Sequence, residues 1–200
     1  MTPGRIVVLN GAPRSGKSSI AAAIQAHVPG DWVNLGVDAF NRATPGHLRP
    51  GIGLRPGGER PDLEPTIVRL YAALYEAIAA TSRQGFDVVA DLGHHDWYSR
   101  PLGILPACAR RLTGLPAWII GVRCPVEAIM ERRRADPQGG FYVAGDGIPE
   151  PVQRWQDAVH RPGLYDLEVD TSLLTPEAAA RQIAQRLQQP PAAFSRLAQG

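Results

Sequence analysis

Residues 11–18, Gly-Ala-Pro-Arg-Ser-Gly-Lys-Ser, match the pattern G-x-x-x-x-G-K-[ST] without a mismatch. Few segments of eight residues constrain a fold so tightly. The glycines let the backbone curl until successive N–H groups converge on one point, and a helix starting inside the segment adds the positive potential of its N-terminus. Such a loop needs a buried strand before it and a helix after it. Residues 5–10 are a β-branched run suited to a parallel strand covered on both faces, and a helix is expected over about 17–28.

The same alternation continues downstream. Residues 32–37, 86–90, 117–122 and 167–169 read as further strands. Between them Ile67, Leu70, Tyr71, Leu74, Tyr75 and Ile78 form a stripe of helical period, predicting a helix over 66–83. Helices are also expected over about 100–112, from Pro125 through Arg134, and over 152–160. A last one is opened by Thr175 as N-cap, Pro176 and Glu177. Strands alternating with helices predict an α/β fold, a three-layer P-loop sandwich around a five-stranded parallel sheet. The chain reads as a single domain over 1–188 with a flexible tail at 189–200. Residues 40–65, rich in proline, glycine and arginine, have no clear period; about 41–64 is expected to face a substrate. A lid is expected over about 132–151.

Composition sharpens the reading of the loop. Of 21 basic residues only one is lysine, and it is Lys17 of the motif, where a compact point charge fits and a guanidinium does not. With no second lysine, the N-K-x-D signature of guanine-nucleotide switches is excluded. The net charge of +2 and its dispersal do not suggest nucleic acid, and no apolar run has the length of a membrane span. The first ten residues lack the charged start and cleavage site of a secretion signal. Cys108 and Cys124 are too few for a disulfide framework, so a cytoplasmic setting is expected. Oligomeric state is left open, a homo-oligomer included.

A phosphate loop implies a nucleotide rather than a reaction. Gly11, Ala12, Pro13, Arg14, Ser15, Gly16, Lys17, Ser18 and Ser19 are expected to hold ATP. Lys17 would bridge the β- and γ-phosphates, and the Ser18 hydroxyl would ligate Mg²⁺. Ligands of open α/β sheets bind at the carboxyl ends of the strands, where two acids fall. Asp38 could accept a proton from an attacking hydroxyl, or merely cap a helix. Asp91 could hold Mg²⁺ with Ser18, or be a turn residue. Arg132, Arg133 and Arg134 suit a helix C-terminus in any case. The sharper expectation makes Arg132 and Arg134, ahead of Arg133, lid cations that neutralise the phosphoryl group in flight. His94, His95 and Asp96 lack a third metal ligand nearby and are read as a polar or substrate-lining loop.

Taken together, the phosphate loop, Leu35-Gly-Val-Asp38-Ala-Phe40, Gly121-Val-Arg-Cys-Pro125, and the segment from His160 through Tyr165-Asp-Leu-Glu-Val-Asp170-Thr-Ser172 resemble the chloramphenicol phosphotransferase family. The resemblance runs from about residue 5 to about 188. It implies a shikimate-kinase-like fold and an ATP- and Mg²⁺-dependent transfer to a hydroxyl of a small molecule, with Asp38 as the base. The best guess for the acceptor is chloramphenicol or a related antibiotic. A kinase for another hydroxylated metabolite is the nearest alternative, and a regulatory ATPase switch the next. Two departures stand out: Asp136-Pro-Gln-Gly139 where relatives continue with arginines, and Leu92-Gly-His-His-Asp96 where a second acid is common.

Overall fold

The computed structural model describes residues 2–136, 147–161 and 163–199. Five parallel strands, β1 (Ile6–Asn10), β2 (Trp32–Asn34), β3 (Asp87–Leu92), β4 (Ala117–Arg123) and β5 (Leu167–Asp170), form one sheet in the order β2-β3-β1-β4-β5. Successive side chains of a strand point to opposite faces, and the cores follow that period. Ile6, Val8, Val88, Ala90 and Ile119 belong to one apolar layer, whereas Val7, Leu9, Val89, Trp118 and Ile120 belong to the other. The first layer is covered by α3 (Glu64–Arg83), α4 (Ile104–Arg111) and α8 (Ala193–Leu197); the second by α1 (Lys17–His27) and α7 (Pro176–Arg186). This is the expected three-layer sandwich. A further helix pair, α5 (Val126–Ala135) and α6 (Glu150–Ala158), contributes to a small cluster of Ala12, Cys124, Ile129, Met130, Val152 and Val159 at the carboxyl end of the sheet.

Several boundaries differ from the expectation, each for a physical reason. Residues 40–65 are not without secondary structure: α2 (Val37–Ala43) and two 3₁₀ turns, Gly46–Leu48 and Gly51–Leu54, occupy part of them. Such short elements lack the length for a period to show. Helix α3 begins two residues early because Pro65 is harmless in a first turn. In α4 Pro106 is likewise the third helical residue, and the helix is shorter than expected. The tail is also not frayed as composition suggests, since Ala193, Phe194 and Leu197 of α8 are buried in the first layer. Of the expected lid, residues 137–146 lie outside the described residues, and its ends belong to α5 and α6.

Sheet order determines where ligands gather. Neighbours of β1 on its two sides are β3 and β4, so the loop leaving β1 emerges where the connections diverge.

Candidate active site

The loop after β1 is shaped by its backbone. A Cβ on Gly11 would meet the Val122 carbonyl at 2.5 Å, and Gly16, the N-cap of α1, lies at φ 92. Among described non-glycine residues only Arg14 has positive φ, at 70. Lys17 Nζ donates to the Ala12 carbonyl at 2.9 Å. Desolvation lowers its pKa to about 8, against the pull of Asp91 and Asp38. The Ser15 hydroxyl is buried without a hydrogen-bond partner among the described residues. An orphaned polar atom inside a curled loop is what an anion site leaves behind when it is built for its ligand.

The two acids part company. Asp91, expected at the end of its strand, is the penultimate residue of β3 and only 7% exposed. Its Oδ2 accepts a hydrogen bond from Ser18 Oγ at 2.6 Å, joining the end of the phosphate loop to the neighbouring strand. Gly36 makes room for it: a Cβ there would overlap Asp91 Oδ1. A serine hydroxyl and one carboxylate in contact suit Mg²⁺, which retains waters and takes its remaining ligands from phosphates. No cluster of three or more His, Cys, Asp or Glu able to hold a metal occurs among the described residues. Asp38 is exposed in the first turn of α2, whose N-cap is Gly36, so the capping alternative does not describe it. It lies near enough to Lys17 to raise the pKa of that amine.

A single cavity of about 820 Å³ brings these groups together. Gly11, Pro13, Arg14, Gly16, Lys17, Ser18 and Ser19 of the loop line it with Asp38 and Asp91, and Leu54, Tyr71, Gly93 and Trp155 contribute further wall. The size suits a drug-sized ligand. Of the expected lid cations, Arg132 lines it but is engaged: it donates to the carbonyls of Arg14 (3.1 Å) and Thr171 (2.7 Å) and to Thr171 Oγ1 (3.1 Å). Arg134 is exposed and does not line the cavity, whereas Arg133 does. Three successive arginines on a helix point in three directions, and spacing alone does not rank them without knowing which face the loop meets.

His94 and His95 are structural. The backbone N–H of His94 donates to Asn10 Oδ1 at 2.6 Å and its Nε2 meets the Tyr75 hydroxyl at 2.8 Å; burial pushes its pKa down to about 3. His95 Nδ1 accepts from the Trp97 N–H at 3.2 Å, so its Nε2 carries the proton and donates to the Leu54 carbonyl at 2.9 Å. His95 thereby pins the turn that supplies Leu54 to the cavity. Asn10 escaped the sequence reading. At 2% exposure it satisfies both amide hydrogens, toward the Val159 carbonyl (2.8 Å) and Tyr165 Oη (2.9 Å), besides accepting from His94. Its one signal was a polar residue ending an apolar strand before the glycine loop.

The glycine–lysine loop at the mouth of β1, the Ser–carboxylate pair beside it and the cavity that both line are features of a P-loop small-molecule phosphotransferase. The chain belongs to the chloramphenicol phosphotransferase-like family, whose sequence model matches residues 4–188. A Mycobacterium tuberculosis protein named as a candidate O-phosphotransferase is 27% identical over 217 residues, covering 98% of this chain and 89% of that protein. Among solved structures, shikimate kinase from Acinetobacter baumannii in complex with shikimate superposes with a TM-score of 0.62 at 13% identity, over 94% of each chain. The tunicamycin resistance protein of Deinococcus radiodurans gives 0.60 at 19% identity, over 94% of this chain and 99% of that one. At such identities these two establish the fold alone.

Proposed function

We propose that the protein transfers the γ-phosphoryl group of ATP to a hydroxyl of a small, largely apolar alcohol, with chloramphenicol or a related antibiotic as the first candidate. The observation that carries this reading is the shared cavity, which Lys17, Ser18 and Asp91 line together with Asp38, Leu54, Tyr71 and Trp155. The acceptor oxygen bonds to the γ-phosphorus as the bond to the β–γ bridging oxygen breaks, ADP leaves, and the hydroxyl proton passes to the Asp38 carboxylate. An alcohol is too weak an acid to ionise beforehand, so a positioned base takes the proton late in the transfer. Lys17 neutralises charge on the phosphates, and Arg133 is the lid-root cation best placed to help. Mg²⁺, held by Ser18 and Asp91, would supply Lewis-acid charge at the phosphates.

Family membership supports the reaction class, and the lining supports an acceptor recognised through apolar and aromatic contact. A cytoplasmic setting, where ATP is supplied, accords with two buried free cysteines. No described helix is long and apolar enough to cross a membrane. The test is a phosphoryl-transfer assay with ATP and Mg²⁺, read by mass spectrometry over a panel of hydroxylated antibiotics and metabolites, with Asp38→Asn in parallel. Phosphorylated chloramphenicol, lost in the variant, supports both acceptor and base. Another phosphorylated product keeps the mechanism and changes the acceptor; ATP hydrolysis without any product favours a nucleotide switch.

A further inference from the structure

We infer that Arg132 is a positioning residue, which with Thr171 clasps the phosphate loop from outside and sets its N–H groups before nucleotide arrives. This rests on reading the loop as the nucleotide site, and it departs from the role in which Arg132 meets the transferring phosphoryl group. The geometry is specific. Arg132 Nη1 donates to the Arg14 carbonyl and to Thr171 Oγ1, both at 3.1 Å, while Nη2 donates to the Thr171 carbonyl at 2.7 Å. Thr171 Oγ1 in turn donates to the Ser15 carbonyl at 2.8 Å. Two successive carbonyls of the loop are therefore held by one guanidinium and one hydroxyl.

In a trans peptide the C=O and the next N–H point in opposite directions. Drawing the Arg14 and Ser15 carbonyls toward Arg132 and Thr171 turns the N–H groups of Ser15 and Gly16 the other way. The Ser15 N–H is satisfied by the Ala12 carbonyl at 3.1 Å, which leaves that of Gly16 directed away from the clasp. Successive amides aimed inward are what a phosphate cradle requires. Arg14 also sits at φ 70, unfavourable for a residue with a Cβ, so the conformation must be imposed by its surroundings. The same end of α5 supplies a second grip: Arg14 pairs with the Asp136 carboxylate at 3.0 Å and donates to its carbonyl at 2.5 Å. Gly16 completes the fit, since a Cβ there would lie 3.3 Å from Thr171 Cγ2 and 3.4 Å from Arg132 Nη1.

The experiment measures ATP and ADP dissociation constants by calorimetry without acceptor, so an error about the acceptor does not touch it. Kcat at saturating ATP and melting temperature are recorded alongside. Arg132→Ala is expected to weaken both nucleotides by about tenfold or more, the effect of losing charge-assisted hydrogen bonds. Arg132→Lys should not restore them, because a single ammonium lacks the fork that reaches three acceptors. Thr171→Val should weaken binding in the same direction and Thr171→Ser should not. The double variant with Arg132→Ala should be no worse than additivity allows, and less, since the two residues act together. Unchanged affinity in Arg132→Ala overturns the inference, whether kcat falls, which makes Arg132 a phosphoryl contact, or only the melting temperature falls. Should Arg132→Ala not fold, equal affinities for Thr171→Val and Thr171→Ser overturn it. A wild-type protein that binds neither nucleotide overturns the phosphate-loop reading and the clasp with it.

Discussion

The two halves of the cavity are built on different plans. The half proposed to hold the nucleotide is one continuous segment, residues 11–19, of which seven line the cavity. The half proposed to take the acceptor gathers Val37 from α2, Leu54 from a 3₁₀ turn, Tyr71 from α3, Gly93 from the loop after β3 and Trp155 from α6. Among the described residues the bonds that join its parts include His95 to the Leu54 carbonyl, the Tyr71 hydroxyl to the Gly93 carbonyl at 3.5 Å, the Gly57 N–H to the Trp97 carbonyl at 2.9 Å, and Arg154 to Glu59 at 2.7 Å. Backbone recognition demands particular φ values and close approaches, and so restricts which residues are possible. Side-chain recognition demands only shape, and many sequences supply it. A phosphate site is thus constrained in sequence by its own backbone geometry, and an acceptor site much less so.

Substitutions can break this contrast or sharpen it. The largest effect is expected of Lys17→Ala, which should lower transfer by about 10³-fold, near the upper end for losing a charge-stabilising group, with the melting temperature nearly unchanged; wild-type rates would remove the phosphate-loop assignment. Asp38→Asn comes next, with transfer down by about 10²-fold and ATP affinity retained. A transfer rate that does not move would leave Asp38 only a first-turn acid of α2. Gly36→Ala tests the seam between the halves. Its Cβ would displace Asp91 from Ser18, and the Mg²⁺ concentration for half-maximal rate should rise about tenfold or more, as for other groups supporting a metal ligand. A metal titration that overlays wild type would separate Asp91 from the metal.

The pH dependence belongs to the nucleotide half. Burial lowers the pKa of Lys17 to about 8, and polyphosphate would favour its charged form. Affinity for ATP is therefore full below pH 8 and lost as pH rises above it, by about tenfold at pH 9 if only the ammonium form binds. Flat affinity from pH 7 to 9 would show that Lys17 keeps its proton when the site is empty. Smallest is the effect on the acceptor half: Trp155→Leu should raise the acceptor KM about threefold to tenfold and leave the KM for ATP alone. Equal changes in both would mean that α6 braces the whole cavity rather than one half.

These differences in plan also explain what was legible beforehand. The phosphate loop could be read because a glycine–lysine pattern is tied to one backbone path, and the layers because strand and helix periods mark faces. Phe194 and Leu197 were missed, since five residues cannot show a period and only packing on the first layer orders them. Spacing put Arg132 and Arg134 ahead of Arg133, whereas Arg132 and Arg133 line the cavity, an outcome set where Thr171, just after β5, meets α5.

By itself the sequence determined the fold class and the backbone path of the loop after β1, because each depends on local geometry or on strand and helix period. Tertiary structure decided the rest: that Ser18 meets Asp91, that Asn10 ties three segments together, and that Trp155, Leu54 and Tyr71 line one cavity. Those contacts join residues far apart in the chain, and their geometry follows from how the layers pack rather than from any pattern along it.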